Sequence, residues 1–148
     1  RAEHLDQLIR PFIEEGGWVI CDRFMDSTLA YQGYARGGDK AAIKALNAQI
    51  AGDLVPDLTL FLDVSVEQSM ARVDDRKTDK NPFVVYDSKE AAFHESLRCA
   101  FQEIAQDNPE RVITVNGAGS PDEVAREIWS VVEVHLDPPP LPSAGTHG

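Results

Sequence analysis

Three short apolar runs, separated by stretches of helical periodicity, narrow the folds open to this chain more than any other feature. Trp18-Val19-Ile20-Cys21 stops abruptly at Asp22, Leu58-Thr59-Leu60-Phe61-Leu62 stops at Asp63, and Arg111-Val112-Ile113-Thr114-Val115 repeats the pattern. Runs so short and so continuously apolar suit strands buried on both faces of a parallel sheet. Leu5, Leu8, Ile9 and Phe12 recur at helical spacing through residues 2–15, and Gly16-Gly17 ends that helix. Further helices are expected at about 24–35, 39–52, 65–76, 88–106 and 121–136. The alternation of strand and helix predicts an α/β fold, an open parallel sheet with helices on both faces. Three strands are few beside so much helix, since a sheet ordinarily has about five or six.

Two helix starts carry their own punctuation. Ser65-Val66-Glu67-Gln68 and Ser120-Pro121-Asp122-Glu123 both read as capping boxes, the second with Pro at the first helical position. Each follows a strand closely, so 58–76 and 111–136 read as right-handed βα units. Their loops lie at the carboxyl ends of the strands, where open α/β sheets place their ligands. Residues 1–136 are expected to form one domain. From Asp137 onward, four prolines in six residues forbid a helix, and 137–148 reads as a disordered tail.

Composition excludes several classes of function. With 148 residues, 43% of them apolar, the chain can bury a core. A net charge of -11 argues against binding nucleic acid or an anionic membrane, because both reward an excess of cations. A small phosphorylated substrate needs only a few local cations and stays open. No apolar run approaches the roughly 20 residues that span a bilayer. Cys21 and Cys99 are too far apart for a ligand pair and too few for a disulfide framework; reduced, buried thiols in a cytoplasmic protein are expected. The chain opens on Arg1, already inside an amphipathic pattern, and the expectation is that an upstream segment has been left out.

Chemistry concentrates after the first run. Asp22-Arg23 is either a structural ion pair or a working one, the acid orienting a Mg²⁺ shell and the Arg fork gripping a phosphate. Ser27 and Tyr31, four residues apart, share a helical face, and with Gln32 they can hydrogen-bond a sugar and a base. A second cationic cluster, Arg72, Arg76, Lys77 and Lys80, crowds four of 14 basic residues into nine positions with three aspartates between them. It reads either as a charge-balanced helix end or as a lid, spanning about 72–87, that closes over a nucleotide. Asn116-Gly117-Ala118 is a plain turn or a loop against a nucleotide base. Asp63 supports a turn or takes part in the chemistry. The four histidines show no metal spacing, and no Ser-His-Asp or Cys-His grouping appears.

The run Asp22-Arg23-Phe24, Ser27 and Ala30-Tyr31-Gln32-Gly33 resembles the hallmark of the thymidylate kinases, Asp-Arg-Tyr/Phe followed by Ser and Ala-Tyr-Gln-Gly. The resemblance extends over nearly the whole chain. Arg1-Ala2-Glu3-His4 looks like the start of the family's thymine-contacting helix, Pro56 to Val64 like its fourth strand, and Ala92-Phe93-His94 through Ile104-Ala105 like the helix after its lid. It implies that Arg23 holds the phosphate of dTMP and that Asp22 belongs to the Mg²⁺ and phosphate network. Arg1 and Ser27 would hydrogen-bond thymine, Gln32 would support that pocket, and Tyr31 would lie against the deoxyribose. The reaction implied is transfer of the γ-phosphoryl group of ATP to dTMP, a matter of positioning and charge neutralisation.

Arg72 and Arg76 are the first choices for catalytic lid cations. Lys77, Lys80 and Asn116 are weaker choices on the ATP side, because the family's lid run of Asp-Arg-Phe/Tyr-Glu stands here as Val84-Val85-Tyr86-Asp87. The resemblance also implies a homodimer. No Gly-x-x-x-x-Gly-Lys-Ser/Thr donor loop occurs in these residues. The expectation is therefore a C-terminal portion of such a kinase, inactive alone, preceded by at least about 30 residues that supply the loop and a central strand. The competing expectations are a non-catalytic nucleotide-binding or interaction module on the same fold, and a kinase for another nucleoside monophosphate.

Overall fold

Glycine and capping residues set most of the element boundaries. The computed structural model describes residues 5–76 and 88–138, with nothing stated of the side chains of residues 6, 73–76 and 88. Leu5–Ile9 wind as a π-helix that passes into helix α1 (Arg10–Glu14). Gly16, at a φ of 84°, turns the chain out of it. Helix α2 (Met25–Thr28) runs on into a second π-helix, Leu29–Ala35. Helix α3 (Lys40–Ala51) begins where the Asp39 carboxylate accepts the N–H groups of Ala41 and Ala42, and ends at Gly52, whose φ is 61°.

Strand β1 (Thr59–Asp63) leads into helix α4 (Val66–Arg76), where Ser65 Oγ accepts from the N–H of Gln68. Helix α5 (Ser88–Asp107), strand β2 (Val112–Asn116) and helix α6 (Pro121–Leu136) complete the described order. The capping box that opens α6 is formed in both directions, Ser120 Oγ accepting from the N–H of Glu123 and the Glu123 carboxylate accepting from the N–H of Ser120.

β1 and β2 pair in parallel, Thr59 opposite Val112 through Asp63 opposite Asn116. Side chains alternate across a strand, so Thr59, Phe61 and Asp63 share a face with Val112, Thr114 and Asn116. Helix α5 covers that face: Phe61 stacks on Phe101 at 5.3 Å, and Val112 joins Leu97, Ala100, Ile104 and Ala105 in the core. Leu29 and Ala30 of the second π-helix join the same cluster. The opposite face of the sheet holds Val115, which is wholly buried, and α6 packs against β2. The architecture is α/β with a parallel sheet and flanking helices, as expected.

The first expected strand is not formed. Among the described residues the sheet has two strands, and Trp18–Cys21 pairs with neither. An isolated strand leaves its N–H and C=O groups to water and has nothing to pack its side chains against. Trp18 and Val19 are accordingly 53% and 40% exposed, and Ile20 is 100% exposed. The expected buried thiols are corrected for a related reason. Cys21 lies on this unpaired run and Cys99 on the outer side of α5, so both are exposed. The lid from 77 onward, the tail from 139 onward, and Arg1 lie outside the described residues.

Candidate functional site

The bend between the unpaired run and α2 is where the candidate residues gather. Arg23 has a φ of 66°, a left-handed conformation that costs a residue with a Cβ about 1–2 kcal/mol. Strain of this kind persists where the surrounding structure requires it, and functional sites are where it concentrates. The turn carries the Arg23 guanidinium over the ring of Tyr31, 5.4 Å from its centroid. Tyr31 is held from another side by Phe93 of α5, ring centroids 6.3 Å apart and planes tilted by 60°. Asp22 and Arg23 are both exposed, with Ser27 and Tyr31 half-buried behind them.

The winding of the helix matters here. In an α-helix, positions four apart share a face and positions five apart diverge. Leu29–Ala35 are wound instead with the i→i+5 bonding of a π-helix, and on it Gln32 is exposed while Ser27 and Tyr31 are half-buried. Gln32 is itself anchored: its Oε1 accepts from Arg36 Nη1 at 3.5 Å and its carbonyl from the N–H of Gly38 at 2.9 Å. Apolar periodicity gave no sign of π-winding, and only the observed backbone shows it.

The donor-side candidates separate. Arg72 is spent on structure: Nη1 donates to the carbonyl of Gly117 at 2.8 Å, and Nη2 to those of Ala118 and Gly119 at 2.8 and 3.2 Å. It thereby shapes the loop after β2 that carries Asn116. Asn116 Oδ1 accepts from the N–H of Ala118 at 3.0 Å, the bond of a simple turn. Gly117 lies so close to β1 that a Cβ would come within 2.6 Å of Val64 Cγ2. The backbone of Arg76 ends α4, while its side chain, with Lys77 and Lys80, is outside the described residues.

Asp63 supports more than a turn. Arg98 Nε donates to its Oδ1 at 2.6 Å, and Arg98 Nη2 and Gln102 Nε2 donate to its Oδ2 at 3.0 and 3.2 Å. The Arg98 hydrogen bond holds the Asp63 carboxyl below its ordinary range against the opposing pull of burial. Arg98 and Gln102, four apart on one face of α5, carried a readable spacing signal. A second tie had none: Arg111 bonds Asp26 across 85 residues. Among the described residues no group of three or more His, Cys, Asp and Glu side chains could hold a metal ion, and no helix is long and apolar enough to cross a membrane.

Comparison with known proteins agrees with these features. The family model described as thymidylate kinase matches residues 1–128. The thymidylate kinase of Desulfovibrio desulfuricans is 39% identical over 139 residues, 92% of this chain and 64% of that protein. That of Synechococcus sp. strain JA-2-3B'a(2-13) is 43% identical over 145 residues, covering 98% and 66%. The crystal structure of thymidylate kinase from Ehrlichia chaffeensis superposes with a TM-score of 0.65 at 32% identity, covering 89% of this chain and 58% of that one. The chain thus spans a little under two thirds of the length of the curated relatives it matches. With the Asp22–Gly33 run, the α/β fold and these matches in agreement, the chain belongs to the thymidylate kinase family.

Proposed function

We propose that the protein to which this chain belongs transfers the γ-phosphoryl group of ATP to dTMP in the cytoplasm, and that these residues supply much of the acceptor side. The observation that carries the reading is the Arg23 guanidinium lying over the Tyr31 ring from a strained bend. It joins a planar cation suited to a phosphate to an aromatic face suited to a deoxyribose. In this reading Arg23 grips the acceptor phosphate, Ser27 with Gln32 bonds thymine, and Tyr31 fills the space a 2′-hydroxyl would need. Arg1 joins the thymine contacts. Two copies of the protein associate, as the family likeness suggests.

Phosphoryl transfer needs no covalent nucleophile from the protein, so its cations carry the work. Arg76, Lys77 and Lys80 serve as lid cations over ATP, and Arg72 acts through the Asn116–Gly119 loop that it braces. When bound with ATP, Mg²⁺ would supply charge neutralisation at the transferring phosphates. Such an ion takes one or two carboxylates together with phosphates and water, a requirement that the single exposed carboxylate of Asp22 fits.

A donor loop completes the site in this reading, carried on a further strand beside the exposed Trp18–Ile20 run. The test is ATP-dependent dTDP formation by the full-length product of the reading frame and by the 148-residue chain alone. Activity only in the longer protein is the expected result. Turnover by the isolated chain removes the missing-loop claim, and an inactive full-length protein removes the kinase reading.

A further inference from the structure

The helix that carries Ser27, Tyr31 and Gln32 is fastened to the sheet by a charge pair that phosphoryl transfer does not itself use. Asp26 is the buried charged residue of the described structure, 8% exposed. Arg111 Nη2 donates to Asp26 Oδ1 at 2.9 Å and Nη1 to Oδ2 at 2.8 Å, a two-point fork. Thr59 closes the group: its hydroxyl donates to Asp26 Oδ2 at 3.2 Å and accepts from Arg111 Nη1 at 3.0 Å. Thr59 begins β1 and Arg111 directly precedes β2, and the N–H of Thr59 donates to the Arg111 carbonyl at 2.8 Å. Three distant segments therefore meet at one point, at the amino ends of β1 and β2.

Leu29 and Ala30 bury the same helix against α5, and Asn47 Nδ2 donates to the Met25 carbonyl at 3.0 Å, but apolar packing is non-directional. A planar fork fixes direction as well as distance. Asp26 immediately precedes Ser27, so the point fixed by the pair is one residue from the first acceptor contact.

We propose that Asp26 and Arg111, with Thr59, are positioning residues that set the placement of Ser27, Tyr31 and Gln32 against the acceptor nucleotide. The proposal rests on the functional reading above. Its consequence is selective. Moving the helix start weakens the grip on the acceptor and leaves the donor side alone.

Asp26→Glu keeps the charge pair while lengthening the acid by about one C–C bond, roughly 1.5 Å. Displacements of about 1 Å cost reactions up to about a hundredfold. In the full-length protein, steady-state kinetics with dTMP varied at saturating ATP, and the converse, read the effect. The expected result is a rise of about tenfold in KM for dTMP, with KM for ATP and kcat within about threefold of wild type. Thr59→Val, which replaces the hydroxyl with a methyl group, is expected to raise KM for dTMP about two- to fivefold, and Thr59→Ser to restore it.

Folded variants with wild-type KM for dTMP overturn the positioning claim alone, as does an equal change in both KM values. Should Asp26→Glu fail to fold, the Thr59 pair decides. A wild-type protein that does not phosphorylate dTMP overturns the functional reading, and this inference with it.

Discussion

Arg98 reaches across 35 residues of sequence to bond both carboxylate oxygens of Asp63, Nε to Oδ1 at 2.6 Å and Nη2 to Oδ2 at 3.0 Å. The contact ties the carboxyl end of β1 to the middle of α5. The Asp63 carboxyl has a lowered pKa in the folded state, chiefly through the Arg98 hydrogen bond. A group lowered on folding contributes stability that is complete above its unfolded value, near pH 4, and lost as pH falls through the lowered one. Urea denaturation from pH 6 to pH 2 should show wild-type stability falling from about pH 4 downward. Asp63→Asn should start from a lower value and lose less over the same window. Parallel curves would show that the pair carries none of the acid sensitivity.

Arg23 separates function from stability. Arg23→Ala and Arg23→Gly should both lower dTMP turnover by the full-length protein about a thousandfold, the scale of losing an arginine that holds a reacting phosphate. The two differ in the fold. Alanine keeps the strain of a φ of 66° and glycine relieves it, so the glycine variant should be the more stable by about 1 kcal/mol. Thermal melts of the two proteins check the sign.

Gly117 is held by space. A Cβ there would come 2.6 Å from Val64 Cγ2 and 3.2 Å from the Asp63 carbonyl, so the Val64 side chain and the loop backbone must both give way. Gly117→Ala should cost about 1–3 kcal/mol in urea denaturation. In the full-length protein it should also raise KM for ATP more than KM for dTMP, because the loop that moves is the one Arg72 braces. A shift confined to dTMP would place the loop elsewhere in the reaction.

Ser120 offers a local measure of helix capping. Its hydroxyl accepts the N–H of Glu123 while the Glu123 carboxylate accepts the N–H of Ser120. Ser120→Ala removes one half of that exchange and should cost about 1 kcal/mol, with no effect on either KM. Chemical denaturation together with the kinetic assay tests both parts.

Local chemistry was legible in the residues alone. The Ser65 and Ser120 caps, the glycine at 16 and the apolar periodicity place helix boundaries within a few residues, because each acts on neighbours in the chain. The Asp22–Gly33 run was legible for the same reason: a bend and two helical turns carry its side chains, so residue types and spacing suffice. Trp18–Cys21 does not form the expected strand, because apolar content marks a segment suited to burial and says nothing of whether a partner is beside it.

Sequence by itself determined the α/β class and the order of elements after the first expected strand, which follow from patterns repeating over a few residues, and the family, which follows from the Asp22–Gly33 run. Tertiary structure alone decided that Arg72 braces the loop after β2, that Asp63 is bonded by Arg98 of α5, and that Asp26 meets Arg111. Those pairings join residues 35 to 85 positions apart. Which charges meet at such range depends on how the helices lie on the sheet and on strand register, and no spacing along the chain records either.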